Sequence, residues 1–482
     1  MYYEKYLNNM YTTSGWASDK AFAESPGCLR GAWDKPHTDG GVVLTDHNGQ
    51  VVVDGGNECR HVLVIGATGT GKSRLIIMPS LLYSLTAKKK RSYVIFDVKG
   101  ELETETSSVA ERNGYKLRRI DFRNPESGDR WNPFCKINRL YQRGGKSRNK
   151  AWKLLEDMIA SIFTDGESTK ADPFWRTISA SLFRGICATI CEKGEGLSLS
   201  WILKMSNSIP ADKDDDKRCL LFRAVDSLPD DSVARRNLEG FRNGSNTTRG
   251  NVISTFNTYL AHITSRDDIM AMMSSSYSLD FQEIGMAPTV LYISLPDDST
   301  ALGSLQSMLL TQLMQDLNEC AMQNGGILPV RTEMYLDEIC NIHPAIPSLE
   351  TALTISRSRG IRYILAIQSY NQLAGVYGQA AETIAANCST WVALNISKDE
   401  TFRAKLSQLC GENALGNPLI TPSQLALLKY EEGIVIRERS APYFARLEDL
   451  SKVKERIRIP EREYDREPGE RTLLRPRRQF SA

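Results

Sequence analysis

The chain of 482 residues has little histidine, almost no net charge and no long apolar run. Its nearest approach to a membrane segment, Leu75 to Leu85, is broken by Pro79 and falls short of the roughly 18–20 residues that span a bilayer. The N-terminus lacks the basic and apolar regions of a signal peptide, so a cytoplasmic protein is expected. The five histidines (His37, His47, His61, His262 and His343) form neither HExxH nor a visible triad with a serine, which leaves acyl-transfer hydrolase chemistry unsupported. Sixty Lys and Arg against 58 Asp and Glu give +2, too little for a whole-chain field that holds nucleic acid, so any such contact must be local. Ten cysteines are scattered from Cys28 to Cys410; Cys187 with Cys191, and Cys340 with His343, lack the second ligand pair of a zinc site, and reduced thiols are expected.

What is present reads as a folded protein of two or three domains at about 150 residues each, without internal repeats. Residues 1–40 look irregular. In GVVLTDHNGQVVVDGG two β-branched runs flank Asn48-Gly49, which predicts a type I′ hairpin. HVLVIG, RSYVIFDV and KLRRIDF then read as strands alternating with helices, which implies a covered, parallel sheet. Helical spacing takes over from about 141 to 281, as in Trp152, Leu155, Ile159 and Ile162; within it PADKDDDKR and RNGSNTTRGN read as loops, the acidic run Asp214–Asp216 as solvated. Strand–helix alternation resumes with TVLYISL, EMYLDE, IRYILAIQS, TWVALNI and GIVIRE. From Ser451 the chain carries ten Lys or Arg against six Asp or Glu and reads as a mobile basic tail, for solubility or for docking.

The chemistry concentrates in GATGTGKS (Gly66, Ala67, Thr68, Gly69, Thr70, Gly71, Lys72, Ser73), a GxxxxGK[ST] P-loop directly after a buried strand and opening a helix. Glycines let backbone N–H groups turn toward phosphate oxygens, Lys72 reaches the β and γ phosphates, and the Ser73 hydroxyl faces Mg²⁺. Hydrolysis further needs a carboxylate to hold the metal and a group to polarise water, which MYLDE supplies as Asp337 and Glu338 at a strand end. These groups are expected to meet Lys72 across adjacent strands. Gln368, ending the next strand, can bond γ-phosphate and water without adding charge, and Arg357 or Arg359 in SRSRG could serve a neighbour's nucleotide as an arginine finger.

The P-loop, FDVKGEL (Phe96–Leu102), RWNPF (Arg130–Phe134), ADPFW (Ala171–Trp175), YLDE, SRSRGI, AIQSYNQLAGVYG, NCSTWVAL and LITPSQLALLKYEEGIVI occur in an order that resembles the type IV secretion coupling proteins, the TraG/TraD-type conjugation ATPases, from about residue 57 to 440. The resemblance implies an α/β fold: a RecA-like P-loop NTPase domain with a mainly parallel sheet, interrupted by an inserted all-α domain. The parts would be an N-terminal segment with the start of the hairpin (1–50), the nucleotide-binding domain in two parts (51–140 and 282–448), the all-α insertion (141–281) and the basic tail (449–482). It implies ATP and Mg²⁺ as cofactors, a homo-hexameric ring with sites at subunit boundaries, Arg357 as the preferred finger, and Asp97 with Lys99 near the nucleotide. The implied partners are single-stranded DNA with its relaxase and the channel of a type IV secretion system. Family members usually begin with transmembrane helices, and none is evident here, so the expectation is a soluble variant peripheral to the inner face of the plasma membrane or a truncated chain, monomeric when dilute. Two alternatives accompany this: a double-stranded DNA pump of the FtsK or HerA type, and a nucleotide-switched receptor for protein substrates.

Overall fold

The computed structural model describes residues 15–56, 59–163, 173–295, 302–347, 349–396 and 399–457. Most of the basic tail and the first residues of ADPFW lie outside these. Near the N-terminus, β1 (Cys28–Ala32), β2 (Gly41–His47) and β3 (Gln50–Gly55) form an antiparallel sheet in the order β1-β3-β2. The hairpin turn is as expected: Asn48 and Gly49 have φ of 54° and 81°, both positive as type I′ demands. The irregular reading of residues 1–40 is corrected at β1, whose half-buried residues leave no apolar alternation to detect.

The second sheet has nine strands: β4 (Val62–Ile65), β5 (Ser92–Asp97), β6 (Lys116–Asp121), β7 (Thr289–Ser294), β8 (Thr332–Leu336), β9 (Ile361–Ile367), β10 (Thr390–Ala393), β11 (Glu432–Arg437) and β12 (Tyr443–Arg446). Their order is β12-β11-β10-β4-β9-β8-β5-β7-β6, parallel from β10 to β6 and antiparallel at β11 and β12. Every residue of β4, β5, β7, β8 and β9 is buried, so the centres of these strands read as apolar runs without alternation, with polar residues only toward the ends. Side chains alternate between two cores: Leu63, Ile65, Val94 and Phe96 face one side, Val62, Val64, Tyr93 and Ile95 the other.

The first core continues without a break from the sheet into the helices that follow β6, through Phe122, Trp131, Phe134, Leu155 and Phe183. Among the described residues every regular element from Pro133–Arg143 to Gln282–Met286 is helical. Both expected loops there are corrected. Lys213–Arg218 is a 3-10 helix in which Asp214 and Asp215 are exposed, whereas Asp216 accepts two bonds, of 2.6 and 3.1 Å, from the buried guanidinium of Arg249. In the second, the helix Val233–Asn243 ends at Gly244 and the Ser245 hydroxyl, accepting from Thr248 N–H, starts the helix Asn246–Thr264, so the break is only two residues long and most of the polar segment is helical.

The opposite core joins the two sheets. Ser80 and Ser84, on the helix Met78–Leu85, accept from the backbone N–H groups of Val43 and Gly41 in β2. At the N-terminal edge of the nine-stranded sheet a buried ionic cluster finishes the join. Arg362 contacts Asp54 of β3 at 3.2 Å and Glu333 of β8 at 3.6 Å, Arg437 contacts Asp54 at 3.4 Å, and Arg91 binds Glu333 and Asp39. Thr390 donates a further bond to Asp54 at 2.6 Å. Burial pushes the Glu333 carboxyl up, but Arg91 and Arg362 outweigh it and hold the group below its ordinary value. No helix among the described residues is long and apolar enough to cross a membrane.

Candidate functional site

At the C-terminal edge of the sheet β4 runs into the P-loop. Gly69 and Gly71 have φ of 81° and 93°, and a Cβ on Gly71 would come within 2.8 Å of Leu75 and Tyr430, so conformation and space both require glycine there. Gly66 packs against Thr70, whose hydroxyl donates to the Ala67 carbonyl at 2.7 Å and closes the loop, with Thr68 exposed at its tip. The helix then opens with a π turn, Lys72–Ile77, whose wider turn puts Met78 N–H on the Ser73 carbonyl.

Lys72 is 6% exposed and its ammonium donates to the carbonyls of Gly66 (2.7 Å) and Ala67 (3.4 Å). Burial lowers its pKa, and Asp337 and Glu338 push it back up. The Ser73 hydroxyl donates to Asp337 Oδ2 at 3.2 Å, across 264 positions of sequence. Burial, reinforced by the charge of Glu338, raises the Asp337 carboxyl to about 6 against the pull of Lys72 and Ser73. Its Oδ1 is buried and has no hydrogen-bond partner among the described residues.

The strand order corrects one expectation. β4 and β8 are not neighbours; β9 lies between them, pairing with both. Two strand spacings of about 4.8 Å separate the backbones, and the groups meet only because each lies beyond its strand end, where turn and side chain close the gap. Gln368, half-buried at the end of β9, therefore sits between the P-loop strand and the carboxylate strand.

Glu338 adopts the left-handed conformation (φ 52°, ψ 43°), rare for a residue with a Cβ and costing on the order of 1–3 kcal/mol. Its Oε2 accepts a 2.6 Å bond from Asn341, which in turn accepts from Gln372 at 3.2 Å. Neither amide is expected from the sequence, since the only signal, Asn and Gln near the motif, is shared with countless loops.

Asp97, at the end of β5 beside β8, and Lys99 lie near the site: behind burial, Asp97 adds to the upward push on the Asp337 carboxyl and Lys99 to the lowering of the Lys72 ammonium. Asp97 accepts from the N–H groups of Gly100 and Glu103 and so caps the helix Glu101–Arg112, leaving exposed Lys99 beside it. Arg357 and Arg359 precede β9, one strand length of about 20 Å from the P-loop edge, too far to serve their own site. Arg359 donates to the Asn318 carbonyl at 3.4 Å, while exposed Arg357 makes no hydrogen bond or ion pair with the described residues.

A buried, unpaired carboxylate oxygen beside a serine hydroxyl is a hard-oxygen donor set, the kind Mg²⁺ prefers, so Ser73 and Asp337 fit that ion. Fold and site together define a P-loop nucleoside-triphosphatase with a RecA-like sheet. Residues 12–416 match the family model for type IV secretory system conjugative DNA transfer, and the chain belongs to that family, whose role is ATP-driven coupling and translocation in type IV secretion. No curated protein sequence matches the chain. Among solved structures it is similar to the bacterial conjugative coupling protein TrwBdeltaN70 in complex with sulphate (22% identity, TM-score 0.58, covering 81% of this chain and 86% of that one). It is equally similar to TrwB with the non-hydrolysable ATP analogue ADPNP (21%, TM-score 0.59, 81% and 86%) and with ADP and Mg²⁺ (21%, TM-score 0.56, 81% and 85%). At these identities the likeness is one of fold.

Proposed function

We propose that this chain binds Mg²⁺-ATP at the C-terminal edge of the sheet and hydrolyses it to recruit relaxase-bound single-stranded DNA and deliver it to a type IV secretion channel. The observation that carries the nucleotide site is the Ser73–Asp337 contact, which joins P-loop and strand-end carboxylate over a buried, unpaired oxygen. In this reading residues 66–73 cradle the phosphates and Lys72 moves from its own carbonyls to the β and γ phosphates. Ser73 and Asp337 hold the magnesium, which when bound neutralises charge on the phosphates. Glu338 orients the attacking water, and Gln368, between the two strands, bonds the γ-phosphate. Arg357 completes the site of a neighbouring subunit in a homo-hexamer, because it lies at the far edge of its own sheet. The helical insertion, 141–281, selects substrate, and local Lys and Arg on ring-lining loops grip DNA phosphates, making binding salt-dependent.

ATPase assays with single- and double-stranded DNA test this. Turnover stimulated by single strands and abolished by Lys72→Ala is expected. Absence of turnover with single-stranded DNA, together with transfer unchanged by Lys72→Ala, would overturn it, and stimulation by duplex alone would favour a double-stranded DNA pump.

A further inference from the structure

We propose that Asn341 and Gln372 are positioning residues that aim the Glu338 carboxylate, an inference resting on Glu338 as the water-orienting group. Glu338 leaves β8 through a left-handed turn and is followed at once by the 3-10 turn Ile339–Asn341, closed by Asn341 N–H on the Glu338 carbonyl at 2.8 Å. That turn folds the Asn341 side chain back onto the glutamate. An ionised carboxylate only accepts hydrogen bonds, so the 2.6 Å contact must be made by the Asn341 NH₂ group, leaving Asn341 Oδ1 as acceptor. The Gln372 NH₂ group fills that acceptor at 3.2 Å. The polarity of the whole chain, Gln372 to Asn341 to Glu338, is thus set by the charge at its end.

The far end of the chain lies beside another part of the site. Gln372 is on the helix Tyr370–Tyr377, whose cap is Ser369: its hydroxyl accepts from the Gln372 N–H at 3.1 Å. Ser369 directly follows Gln368. A displacement of the β9 end at Gln368 therefore carries the capped first turn, and Gln372 with it, toward or away from Asn341. The Gln372 Oε1 is buried without a hydrogen-bond partner among the described residues, so of these Asn341 is the group that orients that amide. Glu338 has three side-chain torsions to fix, and these two amides fix them from the side of the γ-phosphate-facing strand.

The test measures DNA-stimulated ATP turnover by the full chain, and binding of a non-hydrolysable ATP analogue with Mg²⁺, for Asn341→Ala, Asn341→Asp and Gln372→Ala, alone and combined with Glu338→Gln. Asn341→Ala is expected to lower kcat about 10–100-fold, the range for partners that orient a functional group, with KM and analogue affinity within about threefold. Asn341→Asp keeps the shape and removes the donor, so it should be at least as impaired as alanine, which a packing role does not predict. Gln372→Ala should fall less, and a further variant carrying Asn341→Ala and Gln372→Ala together, with Glu338 intact, should fall no lower than Asn341→Ala. In the Glu338→Gln background neither change should cost anything further. Wild-type turnover in Asn341→Asp, or an undiminished loss in the Glu338→Gln background, overturns the inference. Full turnover by Glu338→Gln alone instead removes the assignment of Glu338 and this inference with it.

Discussion

Strands β8 and β9 carry charged or polar groups at both ends, and the two ends are built on opposite plans. At the N-terminal edge Asp54, Glu333, Arg91, Arg362 and Arg437 are buried and paired with one another, binding the three-stranded sheet to the nine-stranded one. At the C-terminal edge Lys72 is satisfied by its own loop, Asp337 keeps an unpaired oxygen, and Glu338 sits in a strained backbone conformation. The difference teaches how one sheet divides its labour. Opposite charges paired in contact confer structure even where single guanidinium nitrogens, such as Arg91 Nε and Arg437 Nε, lack a hydrogen bond among the described residues, whereas a carboxylate oxygen left without one beside the P-loop is available to a ligand.

The largest expected effect separates the edges by activity. Glu338→Gln should lower turnover about 10²–10⁴-fold, as for loss of a group acting on the attacking water, while leaving the unfolding free energy within about 1 kcal/mol. A comparable loss of stability would erase the contrast. Arg362→Ala should do the reverse. It leaves Asp54 and Glu333 buried with a missing partner, for which about 3–5 kcal/mol of destabilisation is expected in chemical denaturation, and a cost below about 1 kcal/mol would show that the cluster is not a lock.

A third prediction sharpens the N-terminal edge by pH. His61, buried just before β4, accepts from Tyr363 N–H on Nδ1 (3.1 Å) and contacts the Leu353 carbonyl through Nε2 (2.8 Å), an arrangement only the neutral ring can make. Burial lowers its pKa to about 4. Between pH 6.5 and about 4 the unfolded chain binds the proton and the folded one does not, so stability falls as pH drops through this window, by about 3 kcal/mol in all. Above pH 6.5 the group contributes no slope. His61→Gln should flatten that part of the melting-temperature profile; an unchanged slope would assign it to other groups.

The smallest effect tests whether burial, and not ion pairing as such, makes the difference. Arg74 and Asp449 form a bidentate pair of 2.6 and 2.9 Å next to the P-loop helix, which holds the Asp449 carboxyl well below its usual range. The Arg74 side chain is 51% exposed, so solvent screens the pair, and Arg74→Ala should cost no more than about 1 kcal/mol in the same denaturation assay.

Much of the fold was legible because its signals are local. Each buried strand has an apolar centre, with the buried polar and charged residues kept to its ends, and the hairpin turn is written in Asn48-Gly49. The P-loop, Asp337, Glu338 and Gln368 were legible as motifs at strand ends, and the structure brings them to one edge. β1 was not, because its residues are only half-buried, nor was the partner of Asp216, because an ion pair with Arg249 leaves no periodic trace. Asn341 and Gln372 escaped for the same reason: each matters only through the side chain it touches.

Residue order alone determined the strands and helices whose burial is periodic or continuous and which residue types could meet a triphosphate, whereas the half-buried β1 and the polar turn Lys213–Arg218 left no such period. Tertiary structure alone decided that β9 stands between the P-loop and the carboxylates, that Arg357 lies at the edge of the sheet opposite its own P-loop, and that Asp54 meets Arg437 across 383 positions. Strand order and charge pairing are settled by packing over long chain separations, where neighbouring residues carry no record of the outcome.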